Sequence, residues 1–313
     1  MTSPGLIANG SYSHDLLLHD NDDDLVAATR AFVELGLASG GQVLVHSSGE
    51  RVGLLREAVG THPRLSYELD SDLYQSPSRT LFAYERQLAA DPTEMWVTGT
   101  VPLGDDSAGH AAWTRYESLV NEVLAPFAFH ALCTYDTRTL PASTVAAARA
   151  THPGLSSGGD RTVSCAEYLA PADFLTDPLA GVPDVPQTPP SVAATLHDLY
   201  DLRPVRHLLA RAAESAAAVS RDTGEGFVTA SHEILVNALR HGRPPVELLM
   251  WVDGSRLVCR ITDAGPGIPY TLFGYHHSGA TGPAGLMVAR QLCEDVIVSN
   301  PGGGGCSVLL ATA

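Results

Sequence analysis

The sequence predicts an α/β protein of two domains: a three-layer domain built on a parallel sheet, then a two-layer sandwich of helices against a mostly antiparallel sheet. Three observations carry that expectation. Before residue 155, short apolar runs alternate with amphipathic stretches, the pattern of βαβ units whose sheet is covered by helices. Between Pro171 and Pro190 stand six prolines (171, 178, 183, 186, 189 and 190) without periodicity. That density cannot continue a helix or a central strand, so the stretch reads as an extended linker. Beyond it, two apolar runs flank Asp253-Gly254, a strong short-range hairpin signal. The expected division is residues 1–160, a proline-rich linker over 161–195, and a second domain over 196–313.

In the first domain the strand candidates are residues 42–46, 65–69, 95–101 and 130–135. Helical patterns lie between them at 24–37, 51–59, 79–89, 113–124 and 145–151. Asp22, Asp23 and Asp24 fall where negative charge favours a helix N-terminus. In the second domain, residues 202–219 and 226–240 read as helices, with Gly242 where a C-terminal glycine cap belongs. Strands are expected at 246–252 and 256–262 around the turn. A glycine-rich loop, a helix over 285–292 and strands at 295–299 and 307–311 complete the pattern.

The bulk composition narrows the function. The chain carries 19 Lys and Arg against 35 Asp and Glu, a formal charge of −16. That balance argues against nucleic acid, whose phosphates need clustered cations. No apolar run reaches the roughly 18 residues of a membrane span, and the N-terminus shows no export-type apolar stretch. A cytoplasmic location without direct membrane contact is therefore expected. Five scattered cysteines (Cys133, Cys165, Cys259, Cys293, Cys306) form no CxxC pair. They fit reduced, buried thiols and not a disulfide scaffold or zinc site.

Four pieces of the second domain point to chemistry. The first, Glu233-Ile-Leu-Val-Asn237-Ala-Leu-Arg-His241-Gly242, puts Glu233 and Asn237 one turn apart on a helix face among apolar residues. Burying a carboxylate and an amide without partners is costly, which favours a site over decoration. The second, Asp263-Ala-Gly265-Pro-Gly267-Ile268, directly follows a strand. Its glycines allow close backbone approach, although an ordinary Asx turn accounts for the Asp and one Gly as well. The third, Gly279-Ala-Thr281-Gly282-Pro283-Ala-Gly285-Leu286, opens a helix whose free N–H groups suit phosphate. The fourth is the strand start Gly305-Cys306-Ser307-Val308.

In order and spacing these pieces resemble the N, G1 and G2 boxes of the GHKL (Bergerat-fold) ATPases. The form Glu-x3-Asn-Ala-x2-His-Gly most resembles the anti-sigma-factor serine/threonine kinases. The resemblance implies ATP and Mg²⁺ as cofactors. By it, Asn237 holds Mg²⁺ on the phosphates, Asp263 accepts from the adenine amino group, and Glu233 is the general base for an attacking hydroxyl. Gly265, Gly267, Gly282, Gly285, Leu286 and Cys306 would shape the nucleotide pocket and its lid. Two departures stand out: Pro283 precedes Ala284-Gly285 where the family has Gly-x-Gly, and Cys306 stands where a Thr commonly lines the adenine pocket. Both weaken the expectation of fast turnover more than that of ATP binding. His207 lacks the acidic residue and proline of a phosphoacceptor histidine box and reads as a helix-surface residue. His241 reads as structural, and His276 and His277 fall in the lid.

No phosphate-binding Gly-x4-Gly-Lys-Ser/Thr follows residues 42–46, where the chain reads Ser47-Ser48-Gly49-Glu50-Arg51. The stretches His14-Asp15-Leu-Leu-Leu18, Gly41-Gln-Val-Leu-Val45, Tyr116-Glu117-Ser-Leu-Val-Asn121, Cys133-Thr-Tyr135-Asp136 and His152-Pro153 resemble the MEDS sensory domain, a degenerate RecA-like module. That resemblance implies a small-molecule ligand. His14, Glu117, Tyr135 and Asp136 are either its pocket or buried structural polar groups. The implied partners are a sigma factor and an anti-anti-sigma (STAS) protein, with homodimerisation open. A non-catalytic anti-sigma binder and a sensor histidine kinase are the alternative functions.

Overall fold

The computed structural model describes residues 12–74, 76–103, 107–157, 162–181, 185–268, 274–275, 284–301 and 304–312. The chain divides into two compact units, Met1–Gly181 and Val182–Ala313.

The first unit alternates strands and helices: β1 (Tyr12–His19), α1 (Asp22–Ser39), β2 (Gln42–Ser47), α2 (Gly49–Val59), β3 (Leu65–Leu69), α3 (Asp70–Leu73), α4 (Pro77–Ala90), β4 (Met95–Gly99), α5 (Ser107–Val123), β5 (Phe129–Asp136), α6 (Ala142–Thr151), β6 (Gly154–Ser156), β7 (Thr162–Ser164) and α7 (Pro171–Phe174). Local chemistry sets several ends. Asn21 caps α1 by accepting from the Asp24 N–H at 2.8 Å, ahead of three aspartates that suit the positive end of the helix dipole. Gly40, at φ 94°, closes the same helix in the left-handed conformation.

The sheet order is β3-β2-β4-β5-β1-β6-β7, parallel throughout except for the β6–β7 pair. Strand alternation sends Leu17 and Leu132 towards α1, where they pack on Ala28 and Phe32. His14, Ala131 and Cys133 point to the opposite face, beneath Tyr84 of α4 and Tyr116 of α5. This is the three-layer arrangement the alternation predicts. The strand β1, which hydrophobic patterning did not single out, lies between β5 and β6. It was obscured by His14, Asp15 and His19; both histidines are buried.

The proline-rich stretch differs from the expected linker. Pro171 begins α7, where its missing N–H leaves no helix bond unmade, and a 3₁₀ turn follows at Pro178–Ala180. Phe174 and Ala180 are buried against Ala150, and the Arg115 guanidinium donates to the carbonyls of Ala180, at 2.9 Å, and Gly181. Prolines here start turns on the first unit. Further on, Val185 packs beside Trp251, whose indole N–H donates to the Thr188 carbonyl at 2.8 Å.

The second unit comprises β8 (Val192–Leu196), α8 (Leu202–Ser215), α9 (Arg221–His241), β9 (Val246–Asp253), β10 (Arg256–Asp263), α10 (Ala284–Leu292), β11 (Asp295–Ser299) and β12 (Cys306–Ala311). Its sheet runs β11-β12-β10-β9-β8, antiparallel at every pairing. Gly254, at φ 60°, makes the β9–β10 turn. Leu209, Phe227, Ile234 and Ala289 of the three helices bury against Leu248, Cys259, Ile261 and Leu310 of the sheet. The two-layer sandwich follows.

Candidate nucleotide site

The N-box helix α9 starts at Ser220, which caps it by accepting from the Thr223 N–H at 3.1 Å. It runs past the end of β10, so Asn237, Ala238, His241 and Gly242 face the strand's last residue, Asp263. A cavity of about 70 Å³ lies there, walled by Ile234, Ile261, Ile268 and Val308 and closed by Gly267, Leu286 and Cys306.

Gly242 closes α9 as expected, its N–H donating to the Ala238 carbonyl at 3.0 Å, but without the left-handed backbone that usually selects glycine there. Its φ of −84° and ψ of −151° are open to any residue. What requires glycine is proximity: a Cβ would stand 2.4 Å from Cγ of Asp263 and 2.6 Å from the Ala238 carbonyl. Gly265 is constrained similarly, since its Cβ would meet Asp263 Oδ1 and Gly242 Cα, both at 2.7 Å. The two glycines let the Asp263 carboxylate seat between helix and loop.

Asp263 is 8% exposed, and its Oδ1 accepts from the Gly265 N–H at 2.7 Å. No other hydrogen bond reaches this carboxylate among the described residues. The side-chain Nδ2 of Asn237 is likewise buried with no partner among them. A carboxylate and an amide left short of partners on one apolar cavity are suited to a polar ligand.

The other expected residues fall around this pair. Glu233 sits one helical turn before Asn237, and Gly285 packs against both: its Cβ would come 2.7 Å from Asn237 Nδ2 and 3.2 Å from Glu233 Cβ. The first turn of α10 thus lies beside the N-box helix. Glu233 and Gly265 do not line the cavity, whereas Asn237, Asp263, Gly267, Leu286 and Cys306 do. Burial and the neighbouring Asp263 carboxylate push the Cys306 thiol up to about 12, leaving it a weak donor. Gly282, Pro283, His276 and His277 lie outside the described residues.

Three residues support the site; the sequence singled out Gly305 only as a strand start, and Asn300 and Arg290 not at all. Asn300 clasps the loop after β10, accepting from the Ile268 N–H at 2.9 Å and donating to the Ile268 carbonyl at 2.8 Å. Gly305, at φ 94°, donates its N–H to the Gly265 carbonyl at 2.8 Å, and a Cβ there would meet the Asp263 carbonyl at 2.1 Å. Arg290 is buried with its guanidinium 3.5 Å from the centroid of the Tyr275 ring.

In the first unit, His14, Glu117 and Tyr135 do converge, together with Asn121, Cys133 and His152. Asp136 does not join them. It is held by Arg138 through Nε at 2.9 Å and a terminal nitrogen at 2.7 Å, and by Arg51.

Residues 13–153 match the family model of the MEDS (MEthanogen/methylotroph, DcmR Sensory) domain, and residues 196–312 that of the histidine kinase-like ATPase domain. The RecA-like and GHKL expectations rest on the same two stretches. No curated protein matches the chain. Solved structures with similarity include the Erythrobacter litoralis EL346 blue-light activated histidine kinase, at 21% identity over 36% of this chain and 44% of that one, with a TM-score of 0.26. A histidine kinase domain from the same protein aligns at 16% identity over 74% of this chain and 95% of that one, with a TM-score of 0.27. This chain therefore spans less than half the length of the first. No described helix is long and apolar enough to cross a membrane.

Proposed function

We propose that this chain, a MEDS domain followed by a histidine kinase-like ATPase domain, is a cytoplasmic ATP-dependent serine/threonine kinase of the anti-sigma type. It binds a sigma factor, phosphorylates an anti-anti-sigma (STAS) partner, and is switched by a ligand of the N-terminal domain. The observation that supports nucleotide binding most is the Asp263–Asn237 pair, both short of hydrogen-bond partners on one apolar cavity.

Asp263 suits the adenine amino group, because a carboxylate can only accept. Asn237 offers the oxygen ligand that Mg²⁺ prefers, at the side of the pocket that α10 approaches. When bound, Mg²⁺ neutralises charge on the phosphates. Glu233, one turn from Asn237, is placed to take the proton of an attacking hydroxyl. In the proposed transfer the seryl or threonyl oxygen bonds to the γ-phosphorus as the bond to the β-phosphate bridge breaks. ADP leaves, and the proton rests on Glu233.

The test is incubation of the full chain with γ-labelled ATP, with and without a STAS protein encoded beside it. Label on the partner, lost in Glu233→Ala while ATP affinity holds, supports the serine/threonine kinase. General-base loss should slow transfer by roughly 10²–10⁴-fold. Label on the chain itself would make it a histidine kinase. No label at all would favour a non-catalytic anti-sigma binder, a reading to which the weak donor Cys306 lends weight.

A further inference from the structure

The convergence in the first unit is more than a buried polar network. His14 from β1, Glu117 from α5, Cys133 from β5 and His152 just beyond α6 bring one donor atom each to within 4.8 Å of all the others. The closest approaches are His14 Nε2 to Glu117 Oε2 at 3.0 Å, Cys133 Sγ to His14 Nε2 at 3.4 Å, and Cys133 Sγ to Glu117 Oε2 at 3.6 Å. His152 Nε2 lies 3.7 Å from the same Glu117 oxygen.

The outer atoms of these side chains fix which inner atoms carry protons. Asn121 donates its amide hydrogens to the carbonyls of Thr151 at 2.7 Å and of Glu117 and Ser118 at 3.3 Å. Its Oδ1 is therefore the atom that faces His14 Nδ1 at 3.0 Å, so Nδ1 is the donor there. Similarly, His152 Nδ1 stands 2.7 Å from the Ala148 carbonyl, which can only accept. In both neutral rings Nε2 is then a lone pair, 3.0 Å (His14) and 3.7 Å (His152) from the same carboxylate oxygen. His152 is 0% exposed, and its Nε2 has no hydrogen-bond partner.

The Cys133 thiol has one proton to give, to Glu117 Oε2 at 3.6 Å or to His14 Nε2 at 3.4 Å, and the lone pairs left over in this interior repel unless a cation lies among them. A proton on His14 would satisfy its edge with Glu117, but it leaves His152 Nε2 without a donor. We infer that His14, Glu117, Cys133 and His152 form a binding site for a divalent transition metal of the zinc class.

Several features suit that assignment. For metal–ligand bonds of about 2.0–2.3 Å, a tetrahedron has edges of about 3.3–3.8 Å; the separations of 3.4, 3.6 and 3.7 Å fall in that range, and the His14–Glu117 edge at 3.0 Å is shorter. Two imidazoles, a thiolate and one carboxylate favour zinc-like ions over Mg²⁺ or Ca²⁺. The groups that orient ligands from behind are also present: Asn121 on His14, the Ala148 carbonyl on His152, and the Tyr135 hydroxyl on Glu117 Oε1 at 3.2 Å. A cavity of about 20 Å³, the space of one water, touches His14, Glu117 and Cys133, and His46, Tyr74, Tyr84 and Phe129 are among its other walls. The site draws on four separate elements, so no CxxC spacing marks it, and the expectation of no zinc site drawn from cysteine spacing does not reach it.

The experiment is a Co²⁺ titration of the full chain after stripping with a chelator, without nucleotide, followed by absorption spectroscopy. The expected result is one equivalent bound, with a thiolate-to-cobalt charge-transfer band. Cys133→Ser should lose the band, Cys306→Ser should keep it, and His152→Gln should weaken binding by at least about tenfold. Zn²⁺ should displace the cobalt and raise the thermal midpoint of the wild type by mass action. The inference is overturned if the stripped wild type takes up no cobalt near one equivalent. It is equally overturned if the charge-transfer band survives Cys133→Ser or disappears in Cys306→Ser. Should Cys133→Ser fail to fold, the wild-type stoichiometry and the Cys306→Ser spectrum decide it.

Discussion

Gly242→Ala separates two roles for that glycine. If Gly242 served only to cap the helix, alanine would cost stability and leave the nucleotide pocket intact. Its backbone is in an ordinary extended conformation, so alanine brings no dihedral strain. The new methyl instead arrives 2.4 Å from Cγ of Asp263, 2.5 Å from its Oδ1 and 2.6 Å from the Ala238 carbonyl. Ordinary contact begins at 3.4 Å, so the carboxylate must retreat by about 1 Å, the difference between 3.4 and 2.4. Overpacking of this kind costs about 1–3 kcal/mol, and a displacement near 1 Å in a positioning group can cost about 10²-fold. Calorimetric titration of the full chain with an ATP analogue should therefore show Kd rising about 10- to 100-fold. Gly224→Ala is the control on the same helix: its Cβ meets Ala213 Cβ at an unstrained 3.5 Å. It should leave Kd unchanged and stabilise by up to about 1 kcal/mol through helix propensity. An affinity for Gly242→Ala within twofold of wild type would falsify the placement of Asp263 at the nucleotide.

Asp263→Asn presents an amide donor where an acceptor is needed and should weaken ATP binding about tenfold or more; unchanged affinity would reduce Asp263 to a turn residue. Asn237→Ala should abolish the Mg²⁺-dependent part of the thermal shift produced by ATP, measured by melting with and without the metal, and equal shifts in variant and wild type would remove Asn237 from the metal. The pair of hydrogen bonds from Arg138, with the contact from Arg51, holds the Asp136 carboxyl well below the usual carboxylate range. A depressed folded value contributes stability that is present above the ordinary Asp range, about pH 4, and is lost as pH falls below it. The midpoint of the first unit should fall more steeply below about pH 4 in wild type than in Asp136→Asn, and parallel curves would exclude the contribution.

How much of this was legible follows from the range of the interactions involved. Periodicity and turn residues report contacts within a few positions, so the helix carrying Glu233 and Asn237 and the Asp253-Gly254 hairpin could be read directly. Proline was misread, because only its inability to continue an element was weighed. Pro171 and Pro178 begin short helical turns that bury Phe174 and Ala180. Gly242 could be read as the end of its helix, but not its second constraint, since the carboxylate that leaves no room for a Cβ is 21 residues away in Asp263. The Asn300 clasp on Ile268 spans 32 positions and has no local pattern at all.

The cysteines show the same limit in sharper form. Spacing rules for zinc work when two ligands come from one turn, because a single loop then fixes their distance. His14 and Cys133 are 119 positions apart, yet the parallel pairing of β1 with β5 places them two register steps apart on one sheet face. Their distance is set by the strand pairing, which depends on both faces of the sheet being covered. Glu117 and His152 come in on α5 and at the C-terminal end of α6, which pack together on that face. A site assembled this way leaves only isolated polar residues inside apolar stretches. Buried polar groups converging on one face of a well-covered sheet, with outer atoms already bonded and an inner atom such as His152 Nε2 left unpaired, are thus the signal that spacing rules omit. That signal becomes readable only once the sheet order is known, which is why the same histidine that hid β1 from pattern reading became the first ligand of the cluster.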